Sequence, residues 1–368
     1  VHAVHRLHRH RGAVAGGRAG GAAAEEGAVT PYYDDGKGIV IYCGDCRDVL
    51  PTLGPVDLVL TDPPYFRIKD DPWDRQWKSA AHYLDWIGSL CDAWMSCLVT
   101  SGSLYVFASP EMCWAVEGEV SKRFHVLNSI RWQKDAGWHN KAAEESLRAY
   151  LSPWEGVIFA EQFGVDGSAH SEYSEVERQL HKSVYSVVGQ FVQTRRIAAG
   201  LERHQVDSYC APSRKPTGLC YRWEEGACLP TSEQFVLFMR QCGDTRTDEA
   251  LRSQYEALRR PFHLDNALPR HDLWNYRTVQ PFAAKHPCEK PVKMLEDIIR
   301  TSSRSGSIVL DCFIGSGTTL VAAKQLHRYA IGIEIEERYC EIAAQRLSQE
   351  VFQFDPPAPE PEQMELPK

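Results

Sequence analysis

The 368-residue sequence predicts an α/β fold: a doubly wound, mostly parallel sheet interrupted by an α-rich insertion. Three observations carry this expectation. Short β-branched runs alternate with helical periodicity from residue 39 to about 160, the same rhythm resumes at 307, and between these stretches it breaks.

Ile39–Cys43 and Val56–Thr61 are β-branched runs that end in turn residues, so both read as buried strands. Over 83–98, Leu84, Ile87, Leu90, Cys91, Trp94 and Leu98 recur at helical spacing, and Gly102 is expected to close that helix. A strand at 104–108, a helix at 111–122 and strands at Phe124–Gln133 and 155–160 follow. Past the break come a strand at 307–312, a helix at 318–326, a strand at 329–333 and a helix at 337–347. The middle, 163–280, starts polar and turn-rich and then yields two helical patches. Thr231 and Gln234 form a capping box before Phe235, Leu237, Phe238 and Met239. After a short turn at 243–245, Ala250, Leu251, Tyr255 and Leu258 stripe a second helix. This region reads as an insertion with its own small core.

The domains expected are a disordered tail at 1–30, two halves of one α/β domain at 31–162 and 281–350 around the insertion at 163–280, and an acidic tail at 351–368. Residues 1–30 hold almost no large apolar side chain and cannot offset their ordering entropy. Since the chain begins with Val, they also read as upstream sequence translated from an early start. His2, His5, His8 and His10 there read as a solvated run rather than a metal site.

Composition sets outer limits. An apolar content of 43% and a charged content of 24% are ordinary for a globular protein. No run approaches 18 uncharged apolar residues, so no membrane span is expected. The net charge of −8 does not suit a general nucleic-acid binder, so a phosphate-binding surface would have to be a local basic patch. Twelve cysteines without a framework spacing read as reduced thiols in a cytoplasmic protein.

Two loops at strand ends carry the chemistry. In the first, Asp311-Cys-Phe-Ile-Gly315-Ser-Gly317-Thr318-Thr319, a strand runs into a glycine pair and a helix opens at once. Such glycines let backbone approach a ligand closely. Glu334 ends the next strand, where a carboxylate can accept both hydroxyls of a ribose. The loop lacks the lysine of a phosphate-cradling loop and the third glycine of a dinucleotide fingerprint. A tight turn with no ligand would look the same.

The second loop, Thr61-Asp62-Pro63-Pro64-Tyr65, follows a buried strand. A rigid proline turn could have this sequence too, but the chemistry available is specific. The exocyclic amine of a nucleobase is a poor nucleophile, because its lone pair is delocalised into the ring. Asp62 and the Pro63 carbonyl can each accept an N–H, drawing the nitrogen toward tetrahedral geometry so that it can attack a methyl sulfonium. The prolines hold that carbonyl in place beforehand, and Tyr65 can stack on a base flipped out of a duplex.

Together these loops resemble the catalytic and cofactor motifs of the DNA amino-methyltransferases. Their order, catalytic loop first, resembles the β class. Tyr42-Cys-Gly-Asp45, Ile130-Arg-Trp-Gln-Lys134, Glu155-Gly-Val-Ile-Phe159 and His286-Pro-Cys-Glu-Lys290-Pro291 are similar to further segments of that family, so that the resemblance covers about 31–162 and 272–348. It implies a Rossmann-like methyltransferase fold in permuted order with seven strands, S-adenosyl-L-methionine as cofactor and double-stranded DNA as substrate. Asp62, Pro63, Pro64 and Tyr65 would then be catalytic. Asp45, Cys46, Lys290, Asp311, Phe313, Gly315, Ser316, Gly317, Thr318, Thr319 and Glu334 would bind the cofactor, with Asp45 and Cys46 beside its adenine and the segment of Lys290 against its methionine part. The insertion would include the target-recognition region. Cys312 stands where the family often has proline; backbone rather than this side chain is expected to face the ligand.

Competing constellations are weaker. Cys43 and Cys46 lack the second pair of a zinc cage, and Cys210, Cys220, Cys228 and Cys242 are irregularly spaced, so no metal site is expected. Pro287-Cys288 resembles the nucleophile of cytosine-C5 methyltransferases but does not end a strand. The insertion holds Arg195, Arg196, Arg203, Arg214, Lys215 and Arg222 against Glu202 and Asp207. Arg195, Arg196, Arg214, Lys215 and Arg222 are the expected DNA contacts, and 232–259 hints at a helix-turn-helix.

The resulting expectation is a site-specific DNA methyltransferase acting on the adenine amine, since in the family an Asp-led motif usually accompanies adenine. The alternatives are cytosine-N4 methylation and a non-catalytic DNA-binding regulator on the same fold. A homodimer and a restriction endonuclease partner are left open.

Overall fold

A computed structural model of the chain describes residues 29–67, 75–134, 150, 152–162, 186–211, 218–225, 228–264, 268–279 and 289–349. The expected tails, apart from Val29 and Thr30, lie outside these residues, as do His286, Pro287, Cys288, Arg214 and Lys215.

One mixed sheet organises the molecule. In chain order its strands are β1 (Tyr33–Asp34), β2 (Ile39–Cys43), β3 (Val56–Thr61), β4 (Leu98–Ala108), β5 (Phe124–Gln133), β6 (Trp154–Gln162), β7 (Leu273–Asn275), β8 (Ile308–Asp311) and β9 (Tyr329–Glu334). They lie in the order β1-β2-β9-β8-β3-β4-β6-β5-β7. The central run from β2 to β4 is parallel throughout, whereas β6 runs antiparallel to both β4 and β5. Among the described residues, nine strands stand where the family resemblance implied seven, because β1 and β7, two and three residues long, cover the outer edges of β2 and β5. Short edge strands of this kind limit pairing with other chains.

Helices cover both faces. Helices α1 (Cys46–Val49), α2 (Ala80–Cys97) and α3 (Cys113–Ser121) pack on one side, where Trp94, Tyr83, Ile87, Leu90 and Val116 form the core with Val59, Leu104 and Leu310. The other side is covered by three helices of the second half, whose Ile298, Ile299, Leu320 and Ala343 meet Leu58, Tyr105, Phe159 and Val309. Strands buried on both faces read as continuous β-branched runs, the pattern expected of a parallel centre.

The helix expected at 83–98 starts earlier, at Ala80, where Ser79 Oγ accepts from His82 N at 3.2 Å. It ends at Cys97, not at Gly102, which lies inside β4. There the register against β3 shifts between Val56 and Leu58, and a Cβ on Gly102 would stand 2.9 Å from the Asp57 carbonyl. The glycine permits a close strand approach instead of terminating a helix.

Among the described residues, the insertion contributes α4 (Ser186–Ala198), α5 (Arg203–Cys210), α6 (Leu219–Glu224), α7 (Ser232–Gln241) and α8 (Asp248–Leu258), five helices where two patches were expected. They enclose a separate core of Val188, Val192, Val206, Trp223, Phe235, Phe238, Met239, Leu251 and Tyr255. The Thr231–Gln234 capping box forms in both directions. Leu237, expected in the apolar stripe, is exposed, and Val236 is buried in its place. Cys210 and Cys220 are core residues, and no cluster of three metal-ligating side chains occurs among the described residues. Arg260 ties the insertion to the sheet, pairing with buried Glu161 at 2.9 Å. Helices α9 (Val292–Ser302), α10 (Thr318–Gln325) and α11 (Glu337–Ser348) complete the second half of the sheet layer. Among the described residues no helix is long and apolar enough to cross a membrane.

Candidate functional site

Strands β3 and β8 are neighbours, registered at Leu58↔Val309 and Val59↔Leu310. Both run the same way, so the loops that follow them emerge side by side at the carboxyl end of the sheet, where open α/β sheets place ligands. The loops form one wall of a cleft of about 1240 Å³ that is open to solvent. All four residues from Asp62 to Tyr65 line it, as do Asp45, Cys46, Lys290, Asp311, Phe313, Gly315, Ser316, Thr318, Thr319 and Glu334. Gly317 stands just behind, starting α10 at φ +81° against Ala343.

Hydrogen bonds stitch the two loops together. Thr61 Oγ1 donates to Asp311 Oδ1 at 3.1 Å and accepts from Cys312 N at 3.2 Å. Proline at 312 would lack that N–H, so the departure from the family pattern supplies a bond here. The Cys312 thiol points away from the loop, accepting from Trp94 Nε1 at 3.3 Å. Asp311 also accepts from Thr319 Oγ1 at 2.6 Å and Phe313 N at 3.1 Å, and its burial pushes its carboxyl up to about 6.

Glu334, the last residue of β9, accepts from Gly315 N at 2.9 Å and Glu336 N at 3.0 Å, one on each oxygen. The carboxylate keeps lone-pair capacity for a ligand hydroxyl beyond its backbone donors. Burial raises its carboxyl above the ordinary range. Asp45 caps α1 and forks onto Arg47, with Nη2 at 2.6 Å, and that bond chiefly holds its carboxyl low. Ser316 and Thr318 are fastened by Arg346, whose Nη1 lies 2.9 Å from the Ser316 carbonyl and 3.3 Å from Thr318 Oγ1.

The Asp62 end is built from charge pairs. Lys290 Nζ donates to Asp62 Oδ2 and stands 3.4 Å from Glu155 Oε2. Lys134 pairs with the other oxygen of Glu155, and Tyr65 OH donates to Glu155 Oε2 at 3.3 Å. The Lys290 ammonium also lies 5.3 Å from the centre of the Tyr65 ring, covering one of its faces. Asp62 Oδ1 is buried with no hydrogen-bond partner. Burial raises the Asp62 carboxyl, with Glu155 adding to the shift and Lys290 opposing it. Tyr83 of α2 donates to the Pro64 carbonyl at 3.1 Å and fixes the proline loop from below.

Several cleft residues carry no signal of their own in the sequence. Trp86 faces Phe313 at 5.7 Å and closes one side. Glu289, adjacent to Lys290, has one oxygen near Thr318 and Arg346 and a second, Oε2, buried without a partner. The cleft is acidic: Asp45, Asp62, Glu289, Asp311, Glu334 and Glu336 line it against Arg47 and Lys290.

The basic residues of the insertion separate into different environments. Arg196 is largely enclosed, bonded at 2.5 Å to Glu224 and at 2.8 Å to the Leu201 carbonyl. Arg203 takes the other oxygen of Glu224 at 2.5 Å. Arg195 is half exposed, 3.7 Å from Asp244, and Arg222 is exposed.

The chain is similar to several known proteins. Residues 56–345 match the family model described as DNA methylase. The Type II methyltransferase M2.DpnII of Streptococcus pneumoniae is 46% identical over 82 residues, covering 22% of this chain and 31% of that protein. The matched stretch is thus under a third of that relative's length. The Type II methyltransferase M1.MboII of Moraxella bovis is 27% identical over 285 residues, 77% of this chain and 86% of that protein. Of the solved structures, the M1.HpyAVI–SAM complex is similar at 18% identity and a TM-score of 0.44, over 83% of this chain and 98% of that one.

Proposed function

Since the chain belongs to the DNA methylase family, we propose that it transfers a methyl group from S-adenosylmethionine to the exocyclic N6 amine of adenine at a specific site in double-stranded DNA. The observation that carries this is the carboxylate of Asp62, a residue that lines the cleft, with one oxygen held by Lys290 and the other buried without a hydrogen-bond partner. A buried acceptor without a donor costs about 1–3 kcal/mol, and an amine N–H presented by a flipped base removes that cost.

The cleft suits the cofactor. Its excess of carboxylates favours a cation, the unpartnered Glu289 Oε2 can accept from an α-ammonium, and Glu334 retains lone pairs for ribose hydroxyls. When bound, S-adenosylmethionine supplies an electrophilic methyl group on sulfonium sulfur. Asp62 Oδ1 accepts one amine N–H and the Pro63 carbonyl a second, so that the nitrogen lone pair leaves the ring conjugation and points at the methyl carbon. The face of Tyr65 not covered by Lys290 stacks on the base. Asp62 and Pro63 act on the substrate nitrogen, whereas Glu334 and Glu289 hold the cofactor. Arg195 and Arg222 on the insertion are the phosphate contacts in this reading.

Incubation with duplex DNA and methyl-labelled S-adenosylmethionine tests it, followed by digestion to nucleosides. Label in N6-methyl-2′-deoxyadenosine is expected for the wild type. For Asp62→Ala, no label is expected, with cofactor affinity retained. Label in N4-methylcytosine would transfer the reaction to cytosine, and DNA binding without label would reduce the protein to a regulator.

A further inference from the structure

Asp62, Lys290, Glu155 and Lys134 form a continuous file of alternating charges that runs from the cleft along the end of the sheet. Four separate elements supply it: the loop after β3, the segment before α9, the start of β6 and the end of β5. Glu155 is the hub. It is mostly buried, it meets both lysines, and it accepts the Tyr65 hydroxyl at 3.3 Å. Structural pairing alone would need only one lysine, yet Glu155 has two, and the second of them also holds the residue placed on the substrate amine.

We infer that Glu155 is a positioning residue for methyl transfer, holding Lys290 on one oxygen of Asp62 so that the other remains open to the target amine. This rests on the proposed reaction for its purpose, but not for its geometry. With Glu155 in place, the two carboxylates and two ammoniums balance, and the Lys290 ammonium is drawn toward Glu155 Oε2 as well as toward Asp62 Oδ2. Without its charge, the pull of Glu155 on Lys290 is lost, and Lys290 can settle across both oxygens of Asp62. One negative charge fewer then stands beside the site of a sulfonium cation, and the acceptor for the amine is occupied. The Tyr65 ring also loses the anchor at its hydroxyl.

Among the described residues, the charged and titratable groups facing Glu155 are Lys134, Lys290, Tyr65 and Asp62. Glu155 adds to the upward shift of the Asp62 carboxyl, so neutralising it must move the Asp62 titration to lower pH.

The test compares wild type, Glu155→Gln and Glu155→Asp. Glutamine keeps the shape and can still accept from Tyr65, while aspartate keeps the charge. Asp62 is followed by carboxyl-carbon NMR of aspartate-labelled protein, assigned with Asp62→Asn. In Glu155→Gln its titration is expected to move to lower pH, and kcat to fall by about tenfold with cofactor affinity little changed. Glu155→Asp is expected to recover most of both. An Asp62 titration unmoved by Glu155→Gln overturns the inference, as does a kcat that Gln leaves intact. Wild-type protein that labels no DNA would overturn the proposed function instead, and the NMR titration would still report on the charge file.

Discussion

Thr61 and Asp311, 250 positions apart in sequence, meet at 3.1 Å across the seam between β3 and β8, and the Thr61 hydroxyl ties the two chemical loops of the molecule together. The same hydroxyl receives Cys312 N. Thr61→Val keeps the volume and removes both bonds, leaving a buried N–H without an acceptor. The expected cost is about 1–3 kcal/mol in urea unfolding, with Thr61→Ser close to wild type. Equal stability of Val and Thr at 61 would show that the stitch contributes nothing.

Gly317 opens α10 at φ +81°, and a Cβ there would stand 2.8 Å from that of Ala343. Gly317→Ala is therefore expected to lose about 1–3 kcal/mol from backbone strain, plus the cost of moving α11, and to weaken cofactor binding with it. Thermal unfolding and a binding titration of the same sample check this; a Tm within a degree of wild type would contradict the geometry.

The buried carboxyl of Asp311 sits at about 6, raised from 3.8 chiefly by desolvation. A raised folded value means that the native state holds the proton more tightly than the unfolded chain. Its stabilisation is thus complete below about pH 4 and is lost as pH rises through about 6, a change of roughly 2–3 kcal/mol. Measured as wild type minus Asp311→Asn, the stability difference should decline across that window. Parallel pH profiles for the two proteins would rule out an elevated Asp311.

Arg196 and Arg222 carry the same charge in the same insertion but should respond differently. Arg196 is bonded to Glu224, whose side chain is only 1% exposed, so Arg196→Ala should destabilise the insertion by about 3 kcal/mol. Arg222→Ala should leave stability unchanged and reduce DNA affinity together with its salt dependence. Urea melts and binding at two salt concentrations distinguish them; the reverse assignment of effects would refute the division.

The two loops were legible in sequence because each follows a strand buried on both faces, where β-branched runs such as Val56–Thr61 leave no other reading. Glu334 was legible from its place at the end of the next strand. What escaped was long-range. Nothing in the periodicity around 290 says that Lys290 reaches Asp62, because a single ion pair between distant loops leaves no repeating trace. Arg346 on the ligand loop and Glu155 under Lys290 escaped for the same reason. Gly102 misled because a glycine after a helical pattern marks a helix end more often than a register shift inside a strand. Arg196, expected as a DNA contact, is bonded to the buried Glu224, a partner 28 positions away that leaves no mark in the local sequence.

Strands β8 and β9 lie between β2 and β3, both of which come far earlier in the chain. A ribosome making this protein releases β2 and β3 first, with the edges that will face one another's neighbours still unpaired. They wait while the entire insertion is translated, and the middle of the sheet is the last piece delivered. A nascent chain therefore has no cleft to work with, and a product cut short before residue 308 would lack both strands that bring its two flanks together.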